Sequence, residues 1–153
     1  LPNLLHEVGH LLLGGVLDHD HGIDYQAIPY DLDATAGRAV LWEELACCTL
    51  ACGYHPERDW ASAGPDWVDA WFAEQVEIQP VFYGMEDDPH RFWDRIEALY
   101  QAHADTAEAA VNTAFDRTFA LLRWCGAPVG VAQPDERLSF GTLLRRARRR
   151  ARS

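Results

Sequence analysis

Apolar residues recur along most of this chain at the three-and-four spacing of an amphipathic helix, interrupted at glycine, proline and short polar clusters. Residues 3–17 read as an apolar helix, with Asn3 as N-cap and Gly14-Gly15 weakening its end. Asp18-His19-Asp20-His21-Gly22 is a polar turn. Ile23 to Ile28 suits an extended run, which Pro29 confines to an edge strand or a strand end. Residues 31–38 hold turn formers, with a second bend at Gly37. Helix resumes over 39–52, where Leu41, Leu45, Cys48 and Cys52 share one stripe, and Gly53 ends it. After a loop over 53–64, Pro65 suits a first helical position, and a third helix is predicted to about Val81 before Gly84 breaks it. Asp88-Pro89 opens another helix through Tyr100, followed by a long one over 104–124. Ser139 caps a last short helix into an Arg-rich end. The predicted class is mainly α, with a small β strand or hairpin beside the first helix.

Composition narrows this without changing it. A chain of 153 residues, 48% hydrophobic, suits one folded domain. The net charge of −11 is unevenly spread. Arg145, Arg146, Arg148, Arg149, Arg150 and Arg152 are six of the 13 cations, so residues 1–144 carry 7 Arg against 24 acids, a net −17. Such a body is not expected to bind nucleic acid. The organisation read from this is a domain over 1–144 and an Arg-rich tail over 145–153. That tail is expected to be solvated, or to touch RNA, anionic lipid or the acidic body. Lysine is absent, which removes a Walker A phosphate loop. The longest apolar run, Leu11 to Leu17, is too short to cross a bilayer. No signal peptide is visible, and the first residue is Leu1 rather than Met, which leaves room for an upstream domain or anchor. Cys47, Cys48, Cys52 and Cys125 form no CxxC pair and read as buried free thiols of a reducing, cytoplasmic setting.

Chemistry concentrates in His6-Glu7-Val8-Gly9-His10. Two histidines four apart on a helix project from one face and suit a single zinc ion through neutral imidazoles. Glu7, beside the first of them, is placed to take a proton from a zinc-activated water rather than to bind the metal. Gly9 lets another backbone approach the helix closely. A third protein ligand is expected, leaving one position for water. Glu44, or its neighbour Glu43, is one candidate, on the inward stripe of the second helix, where an unpaired carboxylate is costly. Asp66, in the first turn of the third helix, is the other, although the helix dipole alone favours an acid there. The Asp18–His21 cluster reads as a solvated turn. His55, His90 and His103 have no partner spacing that singles them out, and Trp60, Trp67, Trp71, Trp93 and Trp124 read as core.

The order of these features resembles the peptidase domain of the FtsH family of zinc proteases. His6-Glu7-Val8-Gly9-His10 stands where that family has HEAGH, and Ile23-Asp24-Tyr25-Gln26-Ala27-Ile28-Pro29 where it has a strand ending in Ile-Pro. Cys52-Gly53-Tyr54-His55-Pro56-Glu57, then Ala63-Gly64-Pro65-Asp66-Trp67-Val68-Asp69-Ala70, then Phe82-Tyr83-Gly84-Met85 follow in sequence. The Gly-Gly-Arg-Ala-Ala run is mostly lost, the connection from His10 to Asp66 is short, and beyond Met85 only helical character matches. The ATPase half is absent. The resemblance implies His6, His10 and Asp66 as zinc ligands, Glu7 as base and Glu57 as an acid in the turn after the second helix. It also implies a substrate-pairing edge at Ile23, Tyr25 and Ala27.

The expected activity is therefore zinc-dependent hydrolysis of peptide bonds in flexible or unfolded polypeptide, independent of ATP in this chain unless a partner unfoldase feeds it. Two alternatives stand beside it. One is an HExxH peptidase with Glu44 as third ligand, cleaving a dedicated regulatory protein. The other is a non-catalytic scaffold that binds metal or a partner, which has no need of Glu7.

Overall fold

The structure is a computed structural model that describes residues 2–13, 28–54, 66–128 and 138–151. Among these the chain is mainly helical, with no strand. Helix α1 spans Pro2–Leu13, α2 Thr35–Gly53, α3 Asp66–Glu77, α4 Pro89–Trp124 and α5 Phe140–Ala151, with a short 3₁₀ helix over Gln79–Tyr83. The proposed strand over Ile23–Ile28 lies outside the described residues, save Ile28 itself, a buried bend.

Helix α2 is the axis of the core. Every residue from Val40 to Gly53 is buried except Glu44, which is half-buried. An element apolar on all sides must be covered on all sides, and α1, α3, α4 and α5 each pack against it. Leu41, Leu45, Phe72, Val76, Phe92, Ile96, Phe115, Phe140 and Leu143 fill the space between them. The helix starts four residues earlier than its apolar stripe predicts, at Thr35. Arg38 ties that first turn back to the carbonyls of Leu32 and Asp33.

Helix ends follow the local chemistry in most places. The Asp88 carboxylate accepts from the Arg91 backbone N–H at 3.0 Å, with Pro89 at the first helical position. The predicted break between two helices near residues 101–103 appears as a kink in α4 at His103, whose φ of −137° is not helical. Gly84, at φ 62°, terminates the 3₁₀ helix in the left-handed region where a side chain is disfavoured. Asn3 departs from its expected capping role. It lies within the first turn of α1, and its Oδ1 accepts from Trp71 Nε1 at 3.3 Å. The third helix also departs from expectation, stopping at Glu77 and tightening into the 3₁₀ turn that carries Pro80.

The Arg-rich end is structured. Residues 145–151 continue α5, where Arg146 pairs with Asp69 at 3.1 Å and Arg148 pairs with Asp94 and Glu97. Arg146 and Arg148 thus contact the acidic body, while Arg145, Arg149 and Arg150 are exposed. The start of α5 is held by Ser139 Oγ, which accepts from Thr142 N–H, and by Glu108, whose carboxylate accepts from Phe140 and Gly141 N–H. An anionic group across a helix N-terminus offsets its unpaired N–H groups and its dipole. No helix of the described residues is long and apolar enough to cross a membrane. Two core expectations fail locally, because Trp124 is 85% exposed and Cys125 is exposed, both at the C-terminal end of α4.

Candidate metal centre

Two helices build the site. Gly9 rests against Cys47: a methyl group in place of its hydrogen would sit 2.9 Å from Cys47 Sγ and 3.2 Å from Cys47 Cβ. That close approach brings the face of α1 carrying His6 and His10 onto the turn of α2 carrying Glu43 and Glu44. The far end of α1 is held from α4, where the Arg117 guanidinium donates to the carbonyls of Leu12 and Leu13. These are among the carbonyls that a helix C-terminus cannot satisfy within itself.

The two imidazoles stand edge to face, centroids 4.7 Å apart and planes at 89°. Glu44 lies between their Nε2 atoms. Its Oε1 accepts from His6 Nε2 at 3.1 Å, and its Oε2 lies 3.2 Å from His10 Nε2. One ligand atom from each of His6, His10 and Glu44 falls within 4.8 Å of the others, the single such group among the described residues. Two neutral-capable imidazoles and one carboxylate are the donor set of a zinc site with one position free.

Around this triad lie groups that hold it. Glu43 Oε1 accepts from His10 Nδ1 at 3.3 Å, both side chains being under a tenth exposed. Gln79 Nε2 donates to Glu44 Oε1 at 3.1 Å, and Cys48 Sγ approaches the same oxygen at 3.9 Å. Burial alone would lower the pKa of His10. Hydrogen bonds with Cys47, Glu43 and Glu44 overcome it and hold His10 well above the ordinary imidazole range. Glu44 is the converse case. Burial would raise it, but the hydrogen bonds from His10 and His6 bring it down to about 2. Both shifts favour a protonated His10 beside an ionised Glu44, with both ring nitrogens of His10 donating. Burial pushes the Cys47 and Cys48 thiols up, so neither is a thiolate near neutral pH.

Glu7 is the exposed member, its side chain 69% accessible, and its Oε1 contacts His6 Nδ1 at 3.3 Å. That is the nitrogen away from Glu44. Reaching the Nε2 side requires a rotamer change, which costs an exposed glutamate little.

The histidines of the HExxH helix lie together with Glu44, the alternative of the two third-ligand candidates. Asp66 opens α3, but its side chain lies outside the described residues, as do Ile23, Tyr25, Ala27 and Glu57. Gln79 escaped sequence reading because a lone glutamine has no spacing signature. Its only hint was a polar residue between Ile78 and Pro80 just past a helix end. Tyr83 entered the sequence reading only within Phe82-Tyr83-Gly84-Met85, with no role of its own. Its hydroxyl titrates higher than usual, first through burial and then through the charge of Glu44. Tyr83 also lines a cleft of about 600 Å³ shared with Tyr30, Arg91 and Arg95.

Comparison with known proteins finds no matching family model, no matching curated protein and no matching solved structure.

Proposed function

We propose that this chain is a zinc metallopeptidase in which His6, His10 and Glu44 hold the metal and Glu7 is the general base. The observation that carries the reading is the convergence of both HExxH Nε2 atoms on one half-buried carboxylate from a second helix. Of the two third-ligand candidates, this favours Glu44. Asp66, the ligand that the FtsH-like resemblance implies, has its side chain outside the described residues.

A zinc ion at these residues supplies Lewis acidity toward a peptide carbonyl and lowers the pKa of a water it carries. The chain's own groups do the rest. Glu43 fixes the ring of His10 through Nδ1, leaving Nε2 as the ligand atom. Glu7, turned in from solvent, accepts one proton of water and returns it to the departing amine. Water is thereby added across the C–N bond, giving a carboxylic acid and an amine. The net negative body disfavours acidic substrates, so flexible neutral or basic polypeptide is the expected class.

The non-catalytic scaffold is the second reading. Against it stands Glu7, which is exposed beside the cluster and has no packing role of its own. The test is cleavage of an unstructured peptide library by zinc-loaded protein and by Glu7→Gln. We expect new amine termini with the parent. The variant should lose cleavage by two orders of magnitude or more, in line with the ~10²–10⁴-fold contribution of a positioned base, while still binding zinc. Equal turnover by both would remove Glu7 from the reaction.

A further inference from the structure

Gln79 is a buried polar side chain, 6% exposed, on the 3₁₀ turn after α3. Burying an amide is unfavourable unless it is hydrogen-bonded, and its Nε2 is spent on one atom, Glu44 Oε1, at 3.1 Å. The orientation of the amide follows from chemistry. An ionised carboxylate only accepts, so the NH₂ end of Gln79 must face Glu44.

The donors on Glu44 are unevenly shared. Oε1 has His6 Nε2, Gln79 Nε2 and, more distantly, Cys48 Sγ, whereas Oε2 has only His10 Nε2 among the described residues. Both histidine Nε2 atoms must give up their protons to serve as metal ligands. Removing those two donors leaves Oε1 still hydrogen-bonded by Gln79 and leaves Oε2 bare. The two oxygens thus differ once the histidines turn to the metal, because Gln79 is a donor that metal binding does not remove.

Resting on the proposed His6–His10–Glu44 centre, we infer that Gln79 reserves Glu44 Oε1, so that Glu44 ligates through Oε2 alone and a coordination position stays open for water. Gln79 is a positioning residue here, acting through Glu44. A carboxylate free to engage with both oxygens would raise the coordination number and crowd the position that catalysis leaves to water.

Cobalt(II) provides the test, because its visible bands are intense when it is four-coordinate and weak when it is five- or six-coordinate. The parent should bind about one cobalt with intense bands. Gln79→Met, close in volume but lacking the donor, should still bind about one cobalt, with bands several-fold weaker. Peptide turnover should fall roughly 10–100-fold, the usual range for outer residues that orient metal ligands, chiefly in kcat. If Gln79→Met does not fold, Gln79→Leu is read in the same way. Cobalt bound by the variant with the parent's spectrum would overturn the inference. So would loss of cobalt from a folded variant, since Gln79 would then retain the metal rather than set its coordination. Failure of the parent to bind cobalt, or a Glu44→Gln protein with the parent's spectrum, would instead overturn the underlying metal centre.

Discussion

Gly9 of α1 packs directly on Cys47 of α2, where a methyl group in place of its hydrogen would be tight. The contact lies between the residues that supply the two halves of the centre. Gly9 precedes His10, and Cys47 stands one helical turn beyond Glu43 and Glu44. Gly9→Ala should therefore act on stability and on the site together. The contact at 3.2 Å to Cys47 Cβ is not relieved by rotating the thiol, so the two helices must shift slightly to admit the methyl group. We expect a loss of about 1–3 kcal/mol, as for other overpacked cores, read as a lower urea midpoint at unchanged slope. Zinc affinity should fall with it. Gly9→Ala with unaltered stability would mean that the helices are not so closely apposed.

Glu43 makes a separate prediction. Its carboxylate accepts from the non-ligating nitrogen of His10, the arrangement that fixes a histidine's tautomer and ring in metal sites. Glu43→Gln should keep the fold and lower zinc affinity by roughly 10–100-fold, measured by competition with a chromophoric chelator. An unchanged affinity would reduce Glu43 to a buried partner of His10 in the metal-free protein alone.

The metal-free cluster predicts a pH dependence of stability. His10 has a folded pKa above its reference value of 6.5, so its contribution is complete below pH 6.5 and is lost as pH rises through the folded value. Glu44 has a folded pKa below its reference of 4.5. Its contribution is present above pH 4.5 and is lost as pH falls toward about 2. Chelator-treated protein should thus gain most from the pair between pH 4.5 and 6.5, and the gain should shrink on either side. His10→Gln should flatten that dependence in chemical denaturation across pH. Zinc binding at neutral pH should also release protons, which calorimetry in buffers of different ionisation enthalpy measures directly.

Arg117 links α4 to the end of the HExxH helix through the carbonyls of Leu12 and Leu13. Arg117→Met keeps the apolar stem and removes the donors. It should cost about 1 kcal/mol, typical for a partly exposed hydrogen bond, and raise amide exchange in the last turn of α1. Uniform exchange in parent and variant would show that α1 does not depend on this tie.

Much of this architecture was legible in advance, for identifiable reasons. Asp88-Pro89, Gly84 and Ser139 act locally, through capping and backbone freedom, and such signals survive into the fold. The inward turn of Glu44 followed from its position on the apolar stripe of α2. The start of α2 did not follow, because Arg38 anchors it through backbone carbonyls that no periodicity reports. Asn3 is taken up by Trp71, 68 residues away, and Gln79 by Glu44, 35 residues away. Those contacts exist only once the helices pack. Trp124 shows the opposite error, since an aromatic at a helix end need not find a core.

The central claim is the identity of the third ligand, and zinc content per chain tests it most directly. Parent, Glu44→Gln and Asp66→Asn proteins would be loaded with zinc, dialysed and measured by elemental analysis. The account predicts about one zinc in the parent and in the Asp66 variant, and near none in the Glu44 variant. Zinc retained without Glu44 and lost without Asp66, or no zinc in the parent, would contradict it.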